Sequence, residues 1–292
     1  MDRRNVILFG FLQSGAAMVS FLSSMRIFWV ILGSKDLRVL SSYQVMANIA
    51  LVECCQMSGC FMGGIMLIAG SNFNDQLEYM FGKIIVVAWL MAIFLRFVLA
   101  LNRFIVITDL QVLLAIKKNV LHKILMTITF LTLVAFIVVA CLAKNTYVVS
   151  FEKASWTYKE PNELLKIDGV LGPGITPVTF SLYICTGLYV IRRRNKVRAS
   201  EIRLLISCAI GFLYEMCEIV LFHYVLLNVD QKFADSVGWI LMISWISVPA
   251  FNGAVLLWLN KSVQNRFFSY RWHSFELTNA VFTRTSSVSP RT

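Results

Sequence analysis

Four stretches of this chain, Asn5–Met25, Ile124–Ala143, Gly169–Ile191 and Ser236–Asn260, run for at least 20 residues without one Asp, Glu, Lys or Arg. A helix rises about 1.5 Å per residue, so about 20 apolar residues cross the hydrocarbon of a bilayer. Three further apolar stretches carry ionisable groups. Tyr43–Ala69 holds Glu53, Tyr79–Asn102 holds Lys83 and Arg96, and Leu204–Leu227 holds Glu215, Glu218 and His223. Taken in order these are seven spans, more than a soluble core of this size would need. A membrane β-barrel would show alternating ten-residue segments instead. The pattern predicts an all-α fold, a bundle of seven transmembrane helices.

Composition supports the same solvent. Apolar residues make up 58% and charged residues 15% of the 292, where a soluble domain carries about 45–50% and about 25%. That excludes a soluble enzyme, a secreted disulfide module and a disordered chain. The seven cysteines lie inside the apolar runs and read as small buried apolar residues. No Cys/His spacing suggests a metal site, and nothing calls for a cofactor.

The net charge is +11. On a soluble protein this would suggest nucleic acid; on a membrane protein it marks cytoplasmic loops. With the N-terminus outside, the cytoplasmic segments Gly33–Ser42, Arg103–Lys123, Arg192–Arg203 and the tail after Asn260 collect 17 of the 27 Lys and Arg against four acids. Arg3-Arg4 pull the other way, but six basic residues within Arg192–Arg203 outweigh two. The expected partner is therefore membrane lipid and not nucleic acid. Arg26 and the apolar Ile27–Leu32 after Ser23-Ser24 favour an uncleaved first helix over a secretory signal.

The domain reading is a seven-span unit over residues 1–260 and a cytoplasmic tail over 261–292. Lys261–Ser274 interleaves Phe267, Phe268 and Trp272 with Lys261, Arg266 and Arg271, the pattern of a short amphipathic helix on the inner surface. The remainder, Thr283 to Pro290, reads as a disordered tail whose hydroxyls are candidate phosphate acceptors. The longest outer loop is Lys144–Lys166, with Tyr147, Trp156 and Tyr158. Gly172-Pro173-Gly174 and Pro177 open the fifth span and permit a kink.

Four motifs sit in register with the spans. The third span ends Leu99-Ala100-Leu101-Asn102-Arg103-Phe104-Ile105. The second opens Tyr43-Gln44-Val45-Met46 and continues Asn48-Ile49-Ala50-Leu51-Val52-Glu53. The seventh carries Asn252-Gly253-Ala254-Val255-Leu256, then Leu259-Asn260-Lys261. Together they resemble rhodopsin-like G-protein-coupled receptors. Asn before Arg, and Tyr43-Gln44, resemble the nematode serpentine chemoreceptors of class X or class T. The resemblance implies that Asn102, Arg103 and Phe104 form the inner mouth that meets a heterotrimeric G protein. Glu53 stands where the family has an Asp. The departures are Asn102 for the family's acid, Gly253 and Leu256 for its helix-7 proline and tyrosine, and a sixth span without its Trp and Pro. No cysteine lies near Glu78 or in Lys144–Lys166, so the family's outer disulfide cannot form and nothing evident staples that loop.

An ionisable group at mid-bilayer costs at least about 2.5–3.5 kcal/mol and is tolerated mainly facing the bundle interior. Arg96 is expected to pair with Glu53, Glu215 or Glu218, as a fixed packing pair or as a switch. With Asn252 these residues form the predicted intramembrane network. Arg103 and Arg96 are seven apart, two turns along one face. Lacking a neighbouring carboxylate, Arg103 is expected to be held by Glu201 at the inner start of the sixth span. Arg26 is expected to snorkel. Arg192–Arg198 reads as attraction to anionic lipid or as contact with a G protein.

The functional expectation, carried by the resemblance, is a chemosensory receptor of the plasma membrane of a sensory cilium, without enzymatic activity. It would take a small organic ligand in the outer half of the bundle, among Trp89, His223, Tyr224, Trp239 and Trp245. A transporter or channel would show internal repeats and paired broken helices; only one Gly/Pro interruption stands out, in the fifth span. An intramembrane enzyme would need a nucleophile–base or metal constellation, which scattered Glu and one buried His do not make.

Overall fold

A computed structural model describes residues 2–110, 118–143, 147–158, 163–193, 197–222 and 231–268. Among them are nine helices and one hairpin: α1 (Arg3–Gly33), α2 (Lys35–Arg38), α3 (Ser41–Ala69), α4 (Asp75–Ile107), α5 (Lys118–Leu142), β1 (Tyr147–Ser150), β2 (Ser155–Tyr158), α6 (Glu163–Arg192), α7 (Ala199–Val220), α8 (Gln231–Leu259) and α9 (Lys261–Phe268). The seven predicted spans correspond to α1, α3, α4, α5, α6, α7 and α8. Six of these, all but α7, are long and apolar enough to cross a membrane. The chain is built as a multi-pass membrane protein. The 22-residue α7 carries Glu201, Arg203, Glu215 and Glu218, which hold it outside that set.

Helix ends follow local chemistry. Gly70 closes α3 in the left-handed region (φ 67°), where a glycine carries no Cβ penalty. The Ser71 N–H returns to the Met66 carbonyl at 3.2 Å, the Schellman pattern. Asn74 starts α4 by accepting the Gln76 N–H at 2.8 Å, with Asp75 and Glu78 in the first turn, where they favour the positive end of the helix dipole.

The bundle packs α1 along α3, α3 along α4, α4 against α6, and α8 against both α1 and α7; α5 sits outside, against α4 and α6. Its outer face, with Ile124, Ile128, Phe130, Leu131, Val134, Ile137 and Val138, is bare apolar surface. In water such a patch would aggregate; in hydrocarbon it is solvated. The inside of α1 is the reverse. Gln13, Ala17, Ser20 and Ser24 are buried while Leu8, Phe11, Leu12, Val19 and Leu22 point out. Ser20 donates to the Ile246 carbonyl at 2.7 Å and Gln13 to the Cys60 carbonyl at 2.9 Å. Close approach needs small residues here: a Cβ on Gly64 would lie 2.2 Å from Ser14 Oγ and 2.8 Å from the Gly10 carbonyl oxygen. Membrane helices associate through such small and polar faces, because lipid tails are as apolar as leucine.

The amphipathic segment after the seventh span forms α9 over Lys261–Phe268, shorter than the expected Lys261–Ser274, whose remainder lies outside the described residues. Its Val263 is fully buried against Ile31 and Leu37. Arg26, expected to snorkel, reaches the end of α9. Its Nε and Nη2 donate to the Phe267 carbonyl at 3.1 and 2.9 Å, and the guanidinium lies 5.8 Å from the Phe267 ring centre. That carbonyl lies in the last turn of α9, where helix carbonyls lack intrahelical partners. The tail after residue 268 lies outside the described residues.

Candidate functional site

Three layers of polar groups lie along the bundle. The hairpin caps one end, an ion cluster sits in the middle, and a second ion pair lies at the end where α9 docks.

The middle layer centres on Arg96 of α4. Its Nη2 donates to Glu53 Oε1 of α3 at 2.8 Å and its Nη1 to Glu215 Oε1 of α7 at 2.5 Å. Glu53, Arg96 and Glu215 are 4%, 7% and 1% exposed. Ser24 of α1 donates to Glu53 Oε2 at 3.0 Å, and Asn252 of α8 also hydrogen-bonds Glu53 through its side chain. Five helices thus contribute to one cluster built on the Arg96 guanidinium and the Glu53 carboxylate. The expected pairing left open which acid serves Arg96; the structure uses Glu53 and Glu215 together. Glu218, offered as a third possibility, is not a partner. One turn further along α7 it turns toward α8 and accepts from Ser244 Oγ, which Tyr214 also meets, at 2.7 Å. A cavity of about 80 Å³ lies beside the cluster, lined among others by Glu53, Arg96, Tyr183, Gly211, Asn252 and Leu256.

At the α9 end, Arg103 is 2% exposed. Its Nη1 donates to Glu201 Oε2 at the start of α7, the pairing expected from the missing acid at position 102. Asn102 faces α3 instead: it accepts from Ser42 Oγ at 3.2 Å and its amide donates to Ser41 Oγ at 3.3 Å. Phe104 is half-buried. Asn260 donates to the Tyr43 hydroxyl at 2.5 Å, so the Tyr43-Gln44 opening of the second span and the junction after the seventh meet in space.

At the other end, the described part of the long loop, Tyr147–Tyr158, is held without a disulfide, where the sequence showed nothing to staple it. The hairpin pairs Tyr147 with Tyr158 and Val149 with Trp156, and alternation puts all four on one face. Tyr147, Val149 and Trp156 are buried. The Val149 N–H donates to Glu78 Oε1 at 2.8 Å. The hairpin presses into bare backbone: a Cβ on Gly82 would lie 1.9 Å from the Tyr147 carbonyl oxygen, and one on Gly63 2.2 Å from Trp156 Nε1. Asp168 of α6, 4% exposed, accepts from Trp89 Nε1 at 2.9 Å and from the Tyr158 hydroxyl at 3.2 Å. Burial, and after it the Asp168 carboxylate, push the Tyr158 phenol well above its usual range, so it remains a donor.

Of the five predicted ligand contacts, Trp89 and Trp245 meet edge to face with ring centres 5.4 Å apart. Trp239, six residues from Trp245 and so on another face of α8, stacks on Phe9 of α1 at 4.3 Å. His223 and Tyr224 lie outside the described residues. Sequence reasoning missed Ser24, Asp168 and Ser244. Asp168 carried a signal, an acid at the mouth of an apolar run beside an aromatic-rich loop. Ser24 carried one only as part of the Gln13–Ser20–Ser24 spacing.

No protein-family model matches the chain, and no curated protein matches it. The fold is similar to that in the crystal structure of squid rhodopsin, with a TM-score of 0.67, 11% identity, and coverage of 91% of this chain and 86% of that one. At that identity the likeness is one of fold: the helices are arranged as in squid rhodopsin.

Proposed function

We propose that this chain is a G-protein-coupled chemosensory receptor of the plasma membrane, related to the nematode serpentine classes X and T and sited in a sensory cilium. All seven long helices span, α7 included, with the hairpin end outside and the α9 end in the cytoplasm. A small organic ligand binds in the hairpin half, near Trp89 and Trp245. Binding favours a state in which α7 moves away from α4, by differential affinity for the two states. A heterotrimeric G protein then engages Arg103, Phe104 and the basic segment after α6. The rhodopsin-like arrangement of helices supports this reading, and so does the excess of Lys and Arg at the α9 end.

The observation that carries it is the Arg103–Glu201 pair. It ties α4 to the first turn of α7 at one end of the bundle, and the two side chains are 3% and 33% exposed. A half-open ion pair contributes on the order of 1 kcal/mol, enough to hold an equilibrium and little enough for a ligand to overturn it.

Expression in a G-protein reporter cell with an odorant panel tests the reading. Glu201→Ala raises basal signalling by about fivefold, the equivalent of roughly 1 kcal/mol. Arg103→Ala abolishes the response at equal surface expression. A well-expressed Arg103→Ala chain that still responds would sink the proposal.

A further inference from the structure

The middle cluster holds two carboxylates and one guanidinium among buried groups, a formal charge of −1 if both acids are ionised. The acids are not equivalent. Both Glu53 oxygens have donors, from Arg96 and Ser24, and Asn252 adds another hydrogen bond. Glu215 receives one, from Arg96, and its Oε2 is fully buried with no partner among the described residues. Asn252 Oδ1 is likewise buried and unpartnered among them. The two orphans share the α7–α8 seam: Asn252 Oδ1 lies 2.3 Å from where a Cβ on Gly211 would stand, and Gly211 is one turn before Glu215 on α7. An ionised oxygen buried without a donor costs far more than a neutral one, whereas an O–H on Glu215 and a bare amide oxygen on Asn252 are complementary.

We infer that Glu215 is a proton-binding site: it carries one proton on Oε2, aimed along the seam toward Asn252, while Glu53 stays ionised as the counter-charge of Arg96. The proton comes from bulk water, nothing is oxidised or reduced, and the cluster becomes neutral. The charged and titratable groups facing Glu215 are Arg96 of α4, Glu53 of α3 and Tyr183 of α6. From α8 it faces Asn252, and Glu218 on its own helix is turned to Ser244. The proton also has a mechanical consequence. Drawing an ionised Glu215 away from Arg96 would separate two charges in low dielectric; drawing a neutral acid away breaks a hydrogen bond. The protonated site therefore lets α7 part from α4 while α3 and α4 stay ion-paired.

Infrared spectroscopy of the full chain in lipid, which needs neither ligand nor G protein, tests this independently of the signalling reading. The wild type shows the carbonyl stretch of a protonated carboxylic acid, and Glu215→Gln removes it while Glu218→Gln retains it. Because Gln is an isostere of the neutral acid, Glu215→Gln also keeps surface yield within about twofold, whereas Glu53→Gln lowers it by about tenfold or more. Three results would overturn the inference: no such band in the wild type, a band that persists in Glu215→Gln, or a Glu215→Gln chain that reaches the surface as poorly as Glu53→Gln.

Discussion

Arg96 is the residue on which the middle of the bundle turns, because removing it strands charge that hydrocarbon cannot solvate. Truncating one partner of a buried pair costs about 3–5 kcal/mol. Arg96→Met should therefore lower the thermal midpoint of the purified chain sharply and cut its surface yield. Adding Glu53→Gln to that variant should recover much of the loss, since Glu53 is the carboxylate with several donors and the one left charged. A double variant no better than Arg96→Met, measured by thermal melting in the same lipid or detergent, would show that the penalty has another source. A single charge swap between Arg96 and Glu215 is a poorer probe, because Arg96 bridges two acids at 2.8 and 2.5 Å and a swap with one leaves the other facing a carboxylate. The need for a partner was legible in the sequence, as any ionised group inside an apolar run demands one. That the guanidinium would take two at once was not, since residue spacing along α3, α4 and α7 says nothing of how their faces meet.

The hairpin is the element with the least help from sequence. Its strands are four residues each, too short to be stable alone, and it exists because the bundle supplies a floor. Glu78 gives the Val149 N–H an acceptor, and the bare backbone at Gly82 and Gly63 leaves room for Tyr147 and Trp156. Glu78→Ala would leave that buried N–H without its partner, a cost of about 1–3 kcal/mol. Gly82→Val would place a side chain into the Tyr147 backbone and unseat the hairpin altogether. Both should speed hydrogen exchange and proteolysis within Tyr147–Tyr158 while leaving α4 protected, with Gly82→Val the more severe. Equal protection in all three chains by mass spectrometry would mean the hairpin is held by something else. The helices behaved differently. Their existence follows from the solvent, yet the inward face of α1 is its polar and small face, Gln13, Ala17, Ser20 and Ser24. Reading hydrophobicity as burial, the habit suited to water, points the wrong way along that helix; polarity at three- and four-residue spacing is the better guide.

The whole molecule obeys two asymmetries that are independent of each other. One is radial: the ionised groups within the spans converge on the interior while large apolar side chains cover the outer faces, which fixes a membrane solvent whatever the function. It also explains why α7, whose Glu215 and Glu218 are buried, falls short of a composition test that six other helices meet; the polarity that disqualifies it by composition is what docks it against α4 and α8. The other asymmetry is axial. Among the described residues, Lys and Arg crowd the α9 end, with Arg103 and Arg266 held there by Glu201 and Asp36, while the hairpin end is close to charge balance. Under the proposed seven-span reading, retention of basic residues on the cytoplasmic side sets the orientation, and an odd number of spans puts the termini in different compartments. An epitope tag ahead of Met1 should stain on intact cells, and one after Thr292 only after the plasma membrane is permeabilised. If both tags stained together, α7 would not be crossing; Glu215 would then face water on one side, Arg103 and the hairpin could lie on the same side of the bilayer, and no movement of α7 could carry a ligand's effect from one compartment to the other.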